Sequence, residues 1–146
     1  MTGSGIKNTM LALIAGIGSI FSEWLGGWDI FLKTLVIFMV VDYITGLAVA
    51  FIFRKSDKTE NGGASSRECY KGIVKKMCIL ALVGVSVGVD NLAGSDYIRN
   101  VTILFFLGNE GLSILENIGL MGLKYPHFVK TALEVIRERG DSDGEI

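Results

Sequence analysis

Apolar residues gather into four runs along the chain, at about 10–25, 30–53, 73–90 and 101–123, with short polar pieces between them. A helix needs roughly 20 residues to cross a ~30 Å hydrocarbon layer, and runs of about this size suit that task. After the fourth run, Phe128, Val129, Ala132, Leu133 and Ile136 recur at helical spacing behind Pro126, a residue suited to a first helical turn. The pattern predicts an all-α integral membrane protein with four transmembrane helices and an interfacial amphipathic helix over 127–139.

The fourth run organises the rest. Between Val101 and Leu123 it carries Asn109, Glu110, Ser113, Glu116 and Asn117, at i, i+1, i+4, i+7 and i+8, so the five share one helical face. Arg99 and Thr102 extend that face towards the N-terminus. A carboxylate near the bilayer centre costs roughly 2.5–3.5 kcal/mol on insertion scales, against ~0.3–0.6 returned by each Leu, Ile or Phe. Two Glu and two Asn can therefore consume what the apolar residues supply. This polar face is expected to meet another helix or to line water. Asp42, in the middle of the second run, is the other intramembrane acid. It is either a functional group or one that pairs with a neighbouring helix, and it is expected to share the polar surface.

Charge sets the orientation. Residues 54–76 hold seven of the fourteen basic residues, opposed by Asp57, Glu60 and Glu68. Between two spans such a cluster reflects the positive-inside rule more than nucleic-acid binding, which is not expected here. The loop 54–76 is thus expected to be cytoplasmic, with Lys71, Lys75 and Lys76 against anionic lipid headgroups. Counting spans from that loop places both termini inside, and Lys124, Lys130, Arg137 and Arg139 after the last span agree. Residues 141–146 form a polar acidic tail.

The first run opens behind Lys7, which lies between two possible starts, Met1 and Met10. A secretory signal peptide is the competing reading. The bulky Ser22-Glu23-Trp24-Leu25 stands where small residues would mark cleavage, which favours a retained span. Ala12 with Gly16, and Ala15 with Ser19, make small-xxx-small pairs that allow close helix contact. Trp24 and Trp28 flank Gly26-Gly27 where interfacial aromatics belong, so this stretch reads as a tight connection outside the hydrocarbon.

Composition removes other classes. Half of the 146 residues are hydrophobic, one is proline and the formal net charge is −1; the mean hydropathy is +0.49. That leaves a single membrane domain over 1–146, with no room for a soluble enzyme beside the spans. One histidine (His127) and two cysteines nine residues apart (Cys69 and Cys78) make no zinc pattern. No nucleophile or phosphate-cradling loop accompanies Glu110 and Glu116. The sequence predicts no enzyme, no metal and no cofactor.

Four stretches together resemble one family, the toxin-secretion and phage-lysis holins. They are Gly26-Gly27-Trp28-Asp29, Asp42-Tyr43-Ile44-Thr45-Gly46, Tyr70-Lys71-Gly72-Ile73-Val74-Lys75-Lys76, and the long Asn109-Glu110-Gly111-Leu112-Ser113-Ile114-Leu115-Glu116-Asn117. The similarity covers roughly residues 26–135. Two features depart from it: the family often shows a Pro-x-Pro turn where this chain has Lys124-Tyr125-Pro126-His127, and the first span is less family-like. The resemblance implies a phage holin that self-associates in the bacterial cytoplasmic membrane and opens lesions. An endolysin or a toxin escapes through them, with no direct contact required. Asp42, Asn109, Glu110, Ser113, Glu116 and Asn117 would form the polar face of the pore or oligomer. A small ion or proton channel, or a holin antagonist, remains the alternative.

Overall fold

A computed structural model of the chain describes residues 3–59 and 61–142; the end of the acidic tail, 143–146, and Glu60 of the basic loop lie outside the described residues. The architecture is all-helical: α1 (Gly3–Trp24), α2 (Ile30–Ala48), α3 (Ser66–Ala93), α4 (Ile98–Leu120) and α5 (His127–Ser142). A π-helical turn, Val49–Phe53, prolongs α2 until Arg54 enters the left-handed region at φ 50°. Among the described residues four helices are long and apolar enough to cross a membrane: α1, α2 with its π turn, α3 and α4.

Local chemistry explains the helix ends. Asp29 caps α2 by accepting from the Leu32 N–H at 2.9 Å. After α1, Gly26 takes φ +82° while Gly26 and Gly27 donate to the carbonyls of Glu23 and Ser22, the pattern that closes a helix with a left-handed residue. Gly122, at φ +87°, closes α4 in the same way, with Gly122 and Leu123 donating to Gly119 and Ile118. The fourth run was expected to continue to 123, and this cap stops the helix at Leu120.

A larger difference concerns the basic loop. The helix α3 starts at Ser66, behind Ser65 in extended conformation and with Glu68 in its first turn, where an acid suits the helix dipole. The irregular connection therefore shrinks, and Lys71, Lys75 and Lys76 ride on a helix of 28 residues. At ~1.5 Å per residue that is about 42 Å, longer than the hydrocarbon layer.

The helix α4 is the hub, with α2, α3 and α5 all packed against it. Leu32, Leu35 and Met39 of α2, Ile79 and Val83 of α3, and Ile103 and Leu107 of α4 form the core together with Leu25. By contrast α1 stands away from the bundle, its apolar side chains exposed along its length. It is anchored at its end, where the Trp24 ring lies against Gly84 and leaves no room for a Cβ there.

The last helix, expected at the membrane interface, packs against α4. α5 runs antiparallel along α4, with Leu133 over Gly111, Arg137 over Gly108 and Gly140 against Phe105. The three glycines remove the side chains that would otherwise hold two helices apart.

Candidate functional site

The core stripes of three helices each continue into one charged residue. In α2 the buried series Leu35, Met39 leads to Asp42; in α4 the series Ile103, Leu107 leads to Glu110; in α3, read backwards, Val83 and Ile79 lead to Lys76. The same four-then-three spacing in all three helices sets the charges in one layer. Lys76 bridges that layer. Its Nζ donates to Asp42 Oδ2 at 2.7 Å and also to Glu110 Oε2. The side chains are 14 %, 15 % and 2 % exposed for Lys76, Asp42 and Glu110, so these are interior ion pairs, beyond the reach of ordinary surface screening.

Asn117 completes the cluster two turns further along α4. Its Nδ2 donates to Asp42 Oδ1 at 3.2 Å and to Thr45 Oγ1 at 3.0 Å, while Thr45 donates to the Asp42 carbonyl. Among the described residues no buried side-chain nitrogen or oxygen lacks a hydrogen-bond partner. A cavity of about 110 Å³ opens beside the cluster towards the basic loop, lined by Asp42, Tyr43, Lys75, Lys76, Ser113 and Asn117 among others. A space that is polar and this roomy accepts several waters.

The six residues expected on the polar surface are therefore only partly brought together. Asp42, Glu110 and Asn117 meet. Asn109 and Ser113 are half-buried, and with the exposed Glu116 they border a groove of about 480 Å³ that Arg137 of α5 also lines. Lys76 corrects the headgroup expectation. Two carboxylates one helix away hold its ammonium inside the bundle, whereas Lys71 and Lys75 are exposed, Lys71 with Glu68 at 2.6 Å. One signal for this was present: Lys76 lies three and seven residues before the core positions Ile79 and Val83.

A second polar cluster, at the opposite end of the bundle, has no counterpart in the sequence reading beyond Arg99 itself. Arg99 is buried and donates to Asp29 Oδ2 at 2.7 Å, to the Leu25 carbonyl at 2.6 Å and to the Gly27 carbonyl at 3.2 Å. It thereby ties α4 to the connection between α1 and α2. Asp90, at the end of α3, accepts from the backbone N–H groups of Ile98 at 3.0 Å and Arg99 at 2.8 Å, supplying from another helix the cap that α4 lacks locally. Burial works against ionisation of the Asp29 carboxyl, but hydrogen bonds from Arg99 and Leu32 and the guanidinium charge outweigh it and hold its pKa below the ordinary value.

A model of the bacteriophage holin family matches residues 19–138. The chain is 37% identical over 133 residues to an uncharacterized protein of Listeria monocytogenes, covering 90% of this chain and 89% of the relative. It is 34% identical to an uncharacterized 14.9 kDa protein of Clostridium perfringens, over 86% of this chain and 91% of the relative. A probable holin of Bacillus phage phi105 is 30% identical over 116 residues, 79% of this chain and 80% of the relative. No solved structure matches the chain.

Proposed function

We propose, from the premise that the chain belongs to the bacteriophage holin family, that it self-associates in the bacterial cytoplasmic membrane and opens lesions that let an endolysin or a toxin leave the cell. The observation that carries the reading is the Lys76 bridge. In a single copy Lys76 neutralises one carboxylate of two and hides the polar side of α4 against α2 and α3. Asn109, Ser113 and Glu116 remain beside a groove that accepts water. Copies that join through α4 can turn this polar side towards a shared aqueous space without exposing it to lipid. The spaces beside the cluster, about 110 and 480 Å³, are far too small to pass a folded protein, so the lesion forms between copies.

The orientation follows the basic residues. The basic loop, the start of α3, the end of α4 and the start of α5 lie on the cytoplasmic side, and the Arg99 cluster lies on the outer side. The N-terminus and the start of α5 then face the cytoplasm.

Expression in a bacterium beside a cytosolic endolysin tests the reading. Growth should continue while the protein accumulates and then end in abrupt lysis. Steady growth at high membrane levels, with at most a leak of small ions, would leave a channel or an antagonist as the better account.

A further inference from the structure

The packing of α5 sets two requirements against each other. Docked on α4, the contact is backbone-close. A Cβ on Gly108 would fall 2.7 Å from the Arg137 Cα, and one on Gly140 would fall 2.6 Å from the Phe105 Cα. Yet this position sets Arg137, Glu138, Arg139 and Asp141 alongside Phe105 to Gly108, close to the middle of a span that runs from Ile98 to Leu120. Glu138, Arg139 and Asp141 are exposed there, where hydrocarbon would surround them. Phe128 and Val135 of the same helix are also exposed, at 72% and 43%.

The membrane surface reverses both conditions. A helix with one apolar and one charged face lies stably at the headgroup boundary, with Phe128 and Val135 entering the acyl region and the charges in water. The connection 121–126 holds the left-handed Gly122 and no helix, so it can swing. What α5 leaves behind is the part of α4 it covers, Phe105, Gly108 and Gly111, free of charge and already shaped to receive a helix. In lipid, a face opened by glycines packs well on a like surface, because both backbones can then approach.

We propose that α5 is a strap. Docked on α4, it keeps the chain as a single copy; swung onto the membrane surface, it uncovers the Gly108/Gly111 face for α4 of a second copy. The consequence for lysis rests on the holin reading, but the association itself does not, so the two are measured separately.

The test uses full chains with Cys69→Ser and Cys78→Ser, labelled singly and reconstituted in phosphatidylethanolamine–phosphatidylglycerol vesicles. Energy transfer between copies reports association. Gly108→Ala unseats α5 by collision with Arg137 but keeps the face small. If the strap is released in about a tenth of parent molecules, both copies of a pair must be released to associate, and this variant associates at a roughly hundredfold lower protein density. Gly108→Ile also unseats α5 but blocks the face, and its transfer should fall below that of Gly108→Ala at every density. Oxidising a Gly111→Cys/Leu133→Cys chain should close the strap within one copy and abolish transfer, and reduction should restore it. Equal association of parent and Gly108→Ala, or of Gly108→Ala and Gly108→Ile, overturns the proposal. So does an oxidised pair that links two copies, since the occupant would then be a neighbour's α5. Endolysin-dependent lysis by the parent chain alongside unchanged energy transfer would sink the strap and leave the holin reading standing.

Discussion

Replacing Lys76 with Met removes the one cation of the layer that holds Asp42 and Glu110. Glu110 is 2 % exposed, so its charge would be left in the bundle beside a second carboxylate. Breaking a buried pair by removing one partner costs about 3–5 kcal/mol, a large part of the ~5–15 kcal/mol that holds a typical domain together. Lys76→Met should therefore unfold at markedly lower denaturant in mixed micelles and accumulate poorly in membranes.

The cycle with Glu110→Gln separates the bridge from simple loss of a lysine. In the absence of Lys76, the Glu110→Gln change removes a harmful charge; in its presence, it removes a useful one. The two changes should be non-additive by about 1–3 kcal/mol. Adding Asp42→Asn to the pair should bring stability back close to the parent, because a neutral layer of similar volume has little charge left to desolvate. The assay is helical circular dichroism during titration with denaturing detergent, beside immunoblots of membrane fractions. A Lys76→Met cost under ~0.5 kcal/mol, with an additive cycle, is what a headgroup-facing lysine would give and would refute the bridge as the stabilising element.

Two further outcomes follow from the ends of the bundle. With the native cysteines replaced, Ala64→Cys should resist a membrane-impermeant thiol reagent in intact cells and Asp96→Cys should react; the reverse pattern overturns the orientation. Ala64 is chosen because the neighbouring Gly62 holds φ +67° against the Arg54 carbonyl and tolerates no side chain. Asp29 governs an acid step: its folded pKa lies below the ordinary value of 3.8, so its stabilising pair with Arg99 is present above that value and lost as pH falls through the lowered one. Asp29→Asn should flatten the stability curve below about pH 4 and leave its slope at neutral pH unchanged; an unchanged acid limb would show that the loss of stability starts elsewhere.

The helices were legible because hydrophobic runs report length directly, and α4 was legible as the hub because polar residues at helical spacing in an apolar run demand a partner. The identity of the partner was not. Lys76 was read by its flank, as one of three lysines beside a span, when its register with Ile79 and Val83 aimed it inward. Asp90 carried no signal of its partner, since its carboxylate caps α4 from eight and nine positions away in sequence. Both cases have one physical cause: a charged residue near a helix end can snorkel outward or pair inward, and what lies on the next helix decides between them. The seating of α5 was hidden for another reason. Amphipathicity states that a helix has an apolar face, but the glycines that admit that face lie on α4, at Gly108 and Gly111.

The ratio of charges in the central layer bears on how such a bundle can change shape. Two carboxylates share one ammonium, and they come from different helices, Asp42 from α2 and Glu110 from α4. When α4 turns away, Lys76 keeps Asp42 and remains a neutral pair with α2, so the α2–α3 side strands no charge. In this layer Glu110 is the charge that loses its partner, while Asn117 gives up Asp42 and Thr45; both leave with the helix whose other polar residues, Asn109, Ser113 and Glu116, already border a groove. The charge left unpaired in the layer is therefore one carboxylate, and water reaching that groove removes most of its cost. A one-to-one pair would strand a buried charge on each side of the opening. An entirely apolar layer would cost nothing to separate in lipid but would leave no polar surface for the wall of a lesion. The two-to-one layer meets both demands: it is closed while α4 faces α2 and α3, and it supplies a polar wall once α4 faces water.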